Sequence, residues 1–498
     1  MDNILNNDNK EFAKKELKRI IEMGIDFKCQ EKFAEKTFSK NQIQEILKTP
    51  EQGKKIEDLI NEFRENILPY CSNFSTTNFM GFPDAGNSIA GLSGAVISDF
   101  LQQNLINSSF CAPIATYLEI AVIKWLRETI GYDIKEINNI FDVGGIITYG
   151  GTGSNAAAIL LARENHRNGT MKNGVQNPSD YKVIIPKGIG HYSIRSSSMW
   201  IGCGDNIIEV PTNNFKYDLD ELKKALKENK GKVMCVVAYV GDSRTMSIEN
   251  LQAVHDIVKG EDENIWLHAD ACHGFSLAFS QKLKEKIKGI NLFDSIATDP
   301  HKVLMIPYTL SALLIKDPEK IKMVSSTSDL IMQEPFAFGQ VTPFIGSKSW
   351  ISLKAWFVMK NIGINGIGSI VERRCEMAQY LGIKIEESND FILLNEININ
   401  SVMFMYVGNK SNTEYSIDKI NNINKKIKEI IDNEKIYYLH QFSIPDNLGK
   451  IEKDSIIYPL RYMSGNDNIG KEEIDKMIEY VRNIAENVIK GELNENNS

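Results

Sequence analysis

Long apolar runs are missing from this 498-residue sequence. No stretch approaches 18 uncharged apolar residues, which is roughly the length that a membrane-spanning helix needs. The first residues, MDNILNNDNKEFAKKELK, lack the basic start and the apolar run of a secretory signal. We therefore expect a soluble, cytoplasmic protein without a membrane partner.

Paired cysteines and a surplus of basic residues are also missing. The seven cysteines are scattered and form no C-x-x-C motif, which argues against a disulfide framework or a zinc ribbon. The 57 Lys and Arg residues stand against 65 Asp and Glu residues, so the formal net charge is −8. This balance disfavours nucleic acid as a partner. With 42% hydrophobic and 24% charged residues, the chain has the composition of a globular protein.

Short β-rich runs alternate with helical segments between about residues 139 and 316. The runs are GGIITYGG, YKVIIP, NIIEVP, KVMCVVAYVG, NIWLHADAC, DSIATD and LSALLIK. This alternation predicts an α/β fold with a central, mostly parallel, seven-stranded sheet and helices on both of its faces. We divide the chain into an N-terminal helical arm with a loop (1–110), a large domain (111–385) and a small C-terminal α+β domain (386–498).

Residues able to carry out chemistry cluster where the predicted strands end. In open α/β sheets, ligands bind outside the carboxyl ends of the strands, where several loops converge. The turn GGTGSN, His191, Asp270 and Lys302 each follow or end a predicted strand. We therefore expect these four segments to share one rim of the sheet.

The turn GGTGSN, residues 150–155, precedes the helical run AAAILLAREN. Its backbone N–H groups and hydroxyls would lie at a helix N-terminus, which favours a bound phosphate. No G-K-[ST] follows, so the turn is not a P-loop. An open alternative is a tight turn in which Ser154 merely caps the helix.

Two of the other segments carry a lysine and a histidine. Lys302, in DPHK, can form a Schiff base with a carbonyl ligand. His191 can stack on a flat ring or move a proton near neutral pH.

The strand NIWLHADAC carries several possible ligands on one face. His268, Asp270 and Cys272 alternate along it, and His273 is adjacent. These side chains either bind a metal or supply a carboxylate that pairs with a buried cation. A third interpretation makes Asp270 an ordinary strand-end cap.

One ligand accounts for all four segments. Pyridoxal 5'-phosphate has a phosphate for GGTGSN, an aldehyde for Lys302, a ring face for His191 and a pyridinium nitrogen for Asp270. The sequence therefore predicts this coenzyme and no metal.

The ordered motifs resemble those of the group II pyridoxal phosphate-dependent amino acid decarboxylases, which include the aromatic L-amino acid and glutamate decarboxylases. The resemblance covers most of the chain, from FPDAGNS near Phe82 through APIATYLE, KWLRETIGY, GGTGSN, WLHADAC and DPHK to GSKSWISLKAWF. It implies fold type I of the pyridoxal phosphate-dependent transferases. It also implies a homodimer with its active site at the subunit interface.

The same resemblance assigns roles to individual residues. It implies that Lys302 forms the internal aldimine, that Asp270 binds the pyridine nitrogen and that His191 stacks on the ring. The other implied cofactor contacts are Thr152, Gly153, Ser154, Ser243, Cys272, His301, Gly346 and Ser347, of which the last two reach the partner's cofactor. The implied substrate contacts are Phe82, Pro83, Asp84, Asn107 and Phe110.

The sequence departs from the family pattern at three places. Gly241-Asp242-Ser243-Arg244 stands where relatives usually have G-T-T, so a serine takes the place of the threonine hydroxyl. Cys272 replaces a common alanine and is open to oxidation. The loop from residue 325 to residue 343 contains no tyrosine, although decarboxylases of this type commonly use a loop tyrosine to protonate the carbon. Phe336 and Phe338 in this loop cannot donate a proton.

These observations predict a lyase that converts an L-amino acid, with aromatic substrates favoured, into the amine and carbon dioxide. Leucine, valine and methionine are alternative substrates, whereas a carboxylate at Asp84 would suit a cationic or hydroxylated one. The missing tyrosine predicts an alternative product, an aldehyde formed by decarboxylation with oxidation by dioxygen. A metal-dependent hydrolase and a cofactor-free binding protein are the alternatives from other classes.

Overall fold

The computed structural model describes residues 4–34, 39–83, 86–326, 328, 335–410 and 415–495. Its α-helices are α1 (Lys10–Lys28), α2 (Lys40–Ile46), α3 (Ile56–Asn66), α4 (Ile89–Leu101), α5 (Ala115–Thr129), α6 (Gly151–His166), α7 (Thr170–Asn173), α8 (Tyr192–Trp200), α9 (Leu219–Glu228), α10 (Leu251–Glu261), α11 (Pro300–Val303), α12 (Ser352–Glu387), α13 (Ile417–Glu434) and α14 (Lys471–Glu495). Its β-strands are β1 (Gly145–Thr148), β2 (Lys182–Pro186), β3 (Ile207–Val210), β4 (Thr212–Asn213), β5 (Lys216–Tyr217), β6 (Val233–Tyr239), β7 (Trp266–Asp270), β8 (Ser295–Thr298), β9 (Ser311–Ile315), β10 (Phe391–Leu393), β11 (Ser401–Tyr406), β12 (His440–Gln441), β13 (Ile444–Pro445), β14 (Ile456–Ile457) and β15 (Leu460–Met463). In the described ranges, no helix combines the length and the apolar character needed to cross a membrane.

Each of the seven predicted β-rich runs forms one strand of a seven-stranded sheet. The strand order is β1-β9-β8-β7-β6-β2-β3, and β9 runs antiparallel to both of its neighbours while the other pairs are parallel. Every residue of β6, an inner strand of this sheet, is buried. Because successive strand residues point to opposite faces, both faces of the sheet are covered here. The predicted α/β architecture is confirmed.

The parallel strands bring their carboxyl ends to one edge of this sheet. The glycine turn follows β1, His191 follows β2, Asp270 ends β7, and α11 with Lys302 follows β8. Helix α6 packs across β1, β6, β7, β8 and β9, so its first turn is held at the same edge. The predicted rim of candidate residues therefore exists.

The C-terminal region forms a second, antiparallel sheet with the strand order β10-β11-β15-β12. The two faces of β11 belong to different apolar cores. Val402, Phe404 and Tyr406 pack in a core with α13 and α14, whereas Met403 and Met405 pack in the core of the large sheet. The small sheet is therefore a wall shared by both cores, as the period of two in a β-strand allows.

Helix α12 connects the two cores. It spans 36 residues with a kink at Gly363, and it packs against α4 and α5. Val371 and Cys375 lie in the core of the large sheet, whereas Leu381 and Ile385 lie in the small core. The predicted boundary at residue 385 falls in the last turn of this helix, and the division into three domains stays a prediction.

Stacked aromatic rings attach the N-terminal arm to the small sheet. Phe33 stacks on Phe79 at 5.3 Å between ring centroids, and Phe79 stacks on Tyr438 at 4.9 Å. The backbone N–H of Met80 also donates to the carbonyl of Tyr438 at 3.0 Å. These contacts hold the segment before Phe82 against the C-terminal region.

Gly94 lies in α4 where this helix crosses α12. A Cβ atom at Gly94 would lie 2.8 Å from Lys354 Cα and 2.9 Å from the Leu353 carbonyl oxygen. We expect Gly94→Ala to destabilise the protein by about 1–3 kcal/mol, the usual cost of overpacking, and to lower its thermal unfolding midpoint. The control is Gly24→Ala in α1, where a Cβ atom meets nothing within 4 Å and helix propensity predicts a small gain. Equal midpoints for the two variants would contradict this packing.

Candidate active site

Lys302 lies in α11, just beyond the end of β8. Its Nζ atom lies 2.7 Å from Oδ2 of Asp299, whose side chain is 2% exposed. Burial lowers the pKa of Lys302, but the carboxylates of Asp299 and Asp270 outweigh burial and raise the pKa above its ordinary value. Burial likewise opposes the charge of Asp299, yet Lys302 keeps the pKa of Asp299 below its ordinary value. The rim therefore contains an ion pair between a buried carboxylate and a partly buried ammonium.

Cys272 and the first residue of α6 close one side of this pair. A Cβ atom at Gly151 would lie 2.6 Å from Cys272 Sγ and 2.9 Å from Asp299 Oδ1, so glycine is required there. Burial, with the neighbouring carboxylates of Asp270 and Asp299, raises the pKa of the Cys272 thiol. The start of α6, the end of β7 and α11 thus form one cluster.

Asp270 places a carboxylate at the end of β7, and its side chain is nearly buried. Its Oδ2 atom accepts a hydrogen bond from Nδ2 of Asn155 at 2.9 Å, and its Oδ1 atom accepts the backbone N–H of Cys272 at 3.3 Å. A buried carboxylate held in this way can pair with a cationic ring nitrogen.

His191 is the N-cap of α8, and its ring is a neutral imidazole. Its Nδ1 atom accepts the backbone N–H of Ser193 at 3.3 Å and lies 2.6 Å from Ser193 Oγ. Because Nδ1 accepts, the ring proton is on Nε2. Burial lowers the pKa of His191, which agrees with a neutral ring. The backbone N–H of His191 donates to the hydroxyl of Tyr239, the last residue of β6, at 2.8 Å.

The glycine turn forms the first turn of α6 instead of a loop before it. Gly150 is the N-cap, so the alternative in which Ser154 caps the helix is wrong. Ser154 is fully buried and its Oγ atom lies 2.6 Å from Thr148 Oγ1, so this hydroxyl is engaged within the chain. The N–H groups of Gly153 and Ser154 donate to the Gly150 carbonyl. Those of Gly151 and Thr152 precede the first helical hydrogen bonds and are available to an anion.

His301 faces the backbone of the strand that follows it. Its Nδ1 atom donates to the carbonyl of Leu310 at 2.8 Å, which leaves Nε2 as the free ring position, 3.9 Å from Asp299 Oδ2. His301 therefore borders the ion pair of Lys302.

The loop of residues 241–244 follows β6. The carboxylate of Asp242 accepts backbone N–H groups of its own loop, and burial raises its pKa. Ser243 is exposed, and its carbonyl accepts from Arg461 Nη1 at 2.5 Å. A contact between the Ser243 hydroxyl and the coenzyme stays a prediction.

Gly346 and Ser347 are exposed in the single chain. The next residue, Lys348, is buried and anchors this segment: its Nζ atom lies 3.2 Å from Glu119 Oε1 and donates to the carbonyl of Ile147 in β1 at 2.8 Å. The segment is thus fixed beside the strand that leads into the glycine turn. Its contact with a partner's cofactor stays a prediction.

The predicted substrate contacts fall into two groups. Phe82 packs edge-on against His440 of β12 at 6.1 Å between ring centroids, and Pro83 beside it is buried. Asn107 is buried and accepts N–H groups of its own loop, whereas Phe110 is 71% exposed. Asp84 lies outside the described residues. The contact of these residues with substrate stays a prediction.

The donor atoms of the alternative metal site do not converge. The two ring nitrogens of His268 lie 2.8 Å from Ser295 Oγ and 3.0 Å from Asn155 Oδ1, and Nε2 of His273 lies 2.7 Å from Asn400 Oδ1. Burial lowers the pKa of His268 to about 4 and that of His273 to about 3. In the part of the chain that the structure describes, no three His, Cys, Asp or Glu side chains are arranged to hold a metal.

Two members of the cluster, Asp299 and Asn155, received no role from the sequence. Asp299 stands three residues before Lys302 at a predicted strand end, a spacing at which opposite charges meet on one helical turn. Asn155 stands four residues after Gly151, so the two residues share a face of α6. These two spacings could be recognised only once the first residues of α11 and α6 were known.

The cluster fits pyridoxal phosphate in its donor set. The N–H groups at the start of α6 suit the phosphate, Lys302 suits the aldehyde, and the buried carboxylate of Asp270 suits the pyridine nitrogen. The flat, neutral ring of His191 is close enough to Asp270 and Lys302 for both charges to affect its pKa. The carboxylate of Asp299 lies near Gly151, at the proposed phosphate site, and Lys302 pairs with it at 2.7 Å.

Comparisons with known proteins agree with this fit. The family described as the pyridoxal-dependent decarboxylase conserved domain matches residues 40–407. An aromatic-L-amino-acid decarboxylase from Bacillus atrophaeus is 26% identical over 402 residues, which cover 76% of this chain and 78% of the relative. A phenylacetaldehyde synthase from Petunia hybrida is 24% identical over 409 residues, which cover 78% and 79%. A crystal structure of mouse CSAD in apo form superimposes with a TM-score of 0.84 at 20% identity, over 95% of this chain and 98% of that one.

The chain therefore belongs to the pyridoxal-dependent decarboxylase family. It is an enzyme, a pyridoxal phosphate-dependent amino acid decarboxylase with the fold of type I. The predicted family, coenzyme and fold are confirmed.

The environment of Cys272 predicts that its thiol reacts slowly with alkylating agents. Because the pKa of Cys272 is raised, this thiol stays protonated at pH 7, and only the thiolate reacts with alkylating agents. We expect iodoacetamide to label Cys272 at least about tenfold more slowly than the exposed Cys29 in the folded protein, as measured by peptide mass spectrometry. Equal labelling rates would contradict the assigned environment of Cys272. Unfolding in urea is the control, since it should make the two rates similar.

Proposed function

We propose that this enzyme decarboxylates an L-amino acid, with aromatic substrates favoured, to the amine and carbon dioxide, and that Lys302, Asp270 and His191 are its catalytic residues. The observation that carries the proposal is the cluster at the rim. There, an amine paired with a carboxylate, a second buried carboxylate and a neutral imidazole lie beside an anion-binding helix start.

Each catalytic residue has a defined task. Bound pyridoxal phosphate supplies an aldehyde and a ring that withdraws electrons from the substrate's Cα atom. Lys302 Nζ would hold the coenzyme through its aldehyde and, once released, would carry a proton beside Asp299. Asp270 Oδ accepts the hydrogen bond of the ring nitrogen and keeps the proton on that nitrogen. The ring of His191 would contact a face of the coenzyme ring.

Decarboxylation also requires orientation of the substrate. The bond from Cα to the carboxylate breaks readily only when it stands perpendicular to the coenzyme ring, so the pocket has to fix that bond. Thr152, Gly153, Ser154, Ser243, Cys272 and His301 complete the proposed cofactor contacts. Once the plane of the ring is fixed by these residues, the walls of the substrate pocket select the bond that breaks.

Aromatic side chains support an apolar, flat substrate. Phe82 lies half-exposed against His440, and burial lowers the pKa of His440 to about 4, so this pocket wall is uncharged at neutral pH. Leucine, valine and methionine are the alternative substrates for such a wall.

The choice of substrate is tested by a screen of the proteinogenic amino acids, in which the release of carbon dioxide and the formation of amine are measured. A preference for acidic or cationic side chains would overturn it.

We also propose a homodimer with the active site at its interface. Support comes from large apolar side chains that are exposed in the single chain: Ile89 (85%), Phe110 (71%), Phe344 (68%) and Ile114 (62%). A bridge between Asn104 and Ser349 brings the segments that contain Phe110 and Phe344 side by side. Large apolar side chains that are exposed on neighbouring segments favour an interface. It adjoins Gly346 and Ser347, which are then positioned to reach a partner's cofactor.

The loop of residues 325–343 contains no tyrosine, and this supports an alternative to the amine as product. In the described part of this loop, Phe338 is buried under Lys348, and Phe336 packs on Tyr117 at 5.5 Å. Neither ring can protonate the substrate. The alternative product is an aldehyde, formed when amino acid, dioxygen and water yield aldehyde, carbon dioxide, ammonia and hydrogen peroxide. A relative named phenylacetaldehyde synthase supports this alternative.

Removing Lys302 or Asp270 should abolish the reaction. We expect Lys302→Ala to eliminate carbon dioxide release and the visible absorbance of bound coenzyme. Asp270→Ala should reduce kcat/KM by at least about a hundredfold, on the scale of a lost electrostatic contact in an active site. Lys360→Ala, at an exposed position of α12, is the matched control and should behave as wild type. Near-normal turnover in either of the first two variants would refute the assigned role.

An oxygen electrode separates the two products. With an aromatic amino acid as substrate, we expect carbon dioxide and amine in equal amounts without oxygen uptake, because decarboxylation alone leaves the substrate's oxidation state unchanged. Stoichiometric oxygen uptake with ammonia and hydrogen peroxide would establish the aldehyde route instead. A catalase control, which returns half of the oxygen, verifies that peroxide is formed.

A further inference from the structure

A chain of hydrogen bonds runs beneath the candidate site. Trp266 Nε1 donates to Ser295 Oγ at 2.8 Å, and Ser295 Oγ lies 2.8 Å from His268 Nδ1. His268 Nε2 lies 3.0 Å from Asn155 Oδ1, and Asn155 Nδ2 lies 2.9 Å from Asp270 Oδ2. All five side chains are buried, with 0–7% of their surface exposed. This chain of hydrogen bonds is therefore shielded from solvent.

The donors and acceptors of this chain, together with the neutral state of His268, determine the directions of its hydrogen bonds. The Nδ2 group of Asn155 donates to Asp270, so Asn155 Oδ1 accepts from Nε2 of His268. Burial lowers the pKa of His268 to about 4, so its ring is neutral and carries its proton on Nε2. Nδ1 of His268 therefore accepts from the hydroxyl of Ser295, which in turn accepts from the indole N–H of Trp266.

Asn155 is the branch point of the network. One hydrogen of its Nδ2 group goes to Asp270, and the other goes to Ser193 Oγ at 2.8 Å. Ser193 Oγ in turn donates to Nδ1 of His191 at 2.6 Å. A single amide thus contacts the carboxylate proposed for the ring nitrogen and, through one hydroxyl, the imidazole proposed for the ring face.

The backbone of Asn155 is also rigid. It is the fifth residue of α6, the helix whose first turn is proposed to hold the phosphate. Because Gly151 and Asn155 are one turn apart on the same helix face, the phosphate site and the branch point keep a constant separation. Groups that are locked by packing and by hydrogen bonds of this kind hold a reactive site in its productive geometry.

We propose that Asn155 is a positioning residue that holds the Asp270 carboxylate and the His191 ring in the orientations needed to bind pyridoxal phosphate. This inference rests on the proposed function, since it takes Asp270 and His191 as contacts of the coenzyme. It adds a residue that acts through both of these side chains.

The test measures coenzyme binding to Asn155→Ala and to Asn155→Asp. Protein stripped of coenzyme is titrated with pyridoxal phosphate, and the visible circular dichroism of the saturated protein is recorded. Loss of a buried hydrogen bond to a charged group predicts a dissociation constant at least about tenfold higher for Asn155→Ala. The nearly isosteric Asn155→Asp keeps the packing but places an acceptor against Asp270, so its loss should be at least as large. Both variants should show altered circular dichroism per bound coenzyme.

The matched control is Asn424→Ala in α13. Asn424 is also buried and its amide also bonds to neighbouring groups, but it lies in the small core. This variant should lose thermal stability and keep wild-type coenzyme affinity and circular dichroism. Wild-type affinity and dichroism in both Asn155 variants, or an equal loss of affinity in Asn424→Ala, would overturn the proposal.

Asp270→Ala separates this proposal from the proposed function. If Asp270→Ala binds coenzyme normally, the assignment of Asp270 itself fails, and the inference about Asn155 fails with it. If Asp270→Ala loses coenzyme while the Asn155 variants bind as wild type does, only the inference about Asn155 fails. Loss in Asp270→Ala and in both Asn155 variants supports both.

Discussion

The parallel direction of neighbouring strands is the constraint on which the candidate site depends. Because β2, β6, β7 and β8 run the same way, the residues that follow them arrive at one edge without any need for proximity in sequence. His191, Asp270 and Lys302 meet there although more than one hundred residues separate the first from the last. Helix α6, packed across five of the strands, adds the anion-binding end of its backbone to the same edge.

The chemistry of this edge depends on which groups are charged. Burial lowers the pKa values of His191 and His268, so both rings are neutral where they face the site. Lys302 keeps its charge because Asp299 lies 2.7 Å away. A buried charge without a partner would cost several kcal/mol, so the carboxylate next to Lys302 is a requirement of the fold as much as of the chemistry. Neutral rings and a paired charge together give a polar site.

Much of the fold and site was predictable from the sequence, because its strands are short apolar runs and its motifs follow them. The rim, the coenzyme and Lys302 come from that order alone. The engagement of the Ser154 hydroxyl was not predictable, since its partner Thr148 becomes a neighbour only when α6 begins at Gly151. The role of Asn155 was hidden for the same reason, because its partners come from β7 and α8. Tertiary neighbours of a helix face depend on its starting residue, which local patterns locate poorly.

The continuity of α12 across both cores has a mechanical consequence. Between Cys375 and Ala378, where the helix passes from the large core to the small one, its backbone hydrogen bonds are unbroken, and β11 is a wall common to both cores. A hinge there would have to break those bonds. We therefore expect the C-terminal region to move together with the large sheet, so that the distance between His440 and the rim stays constant.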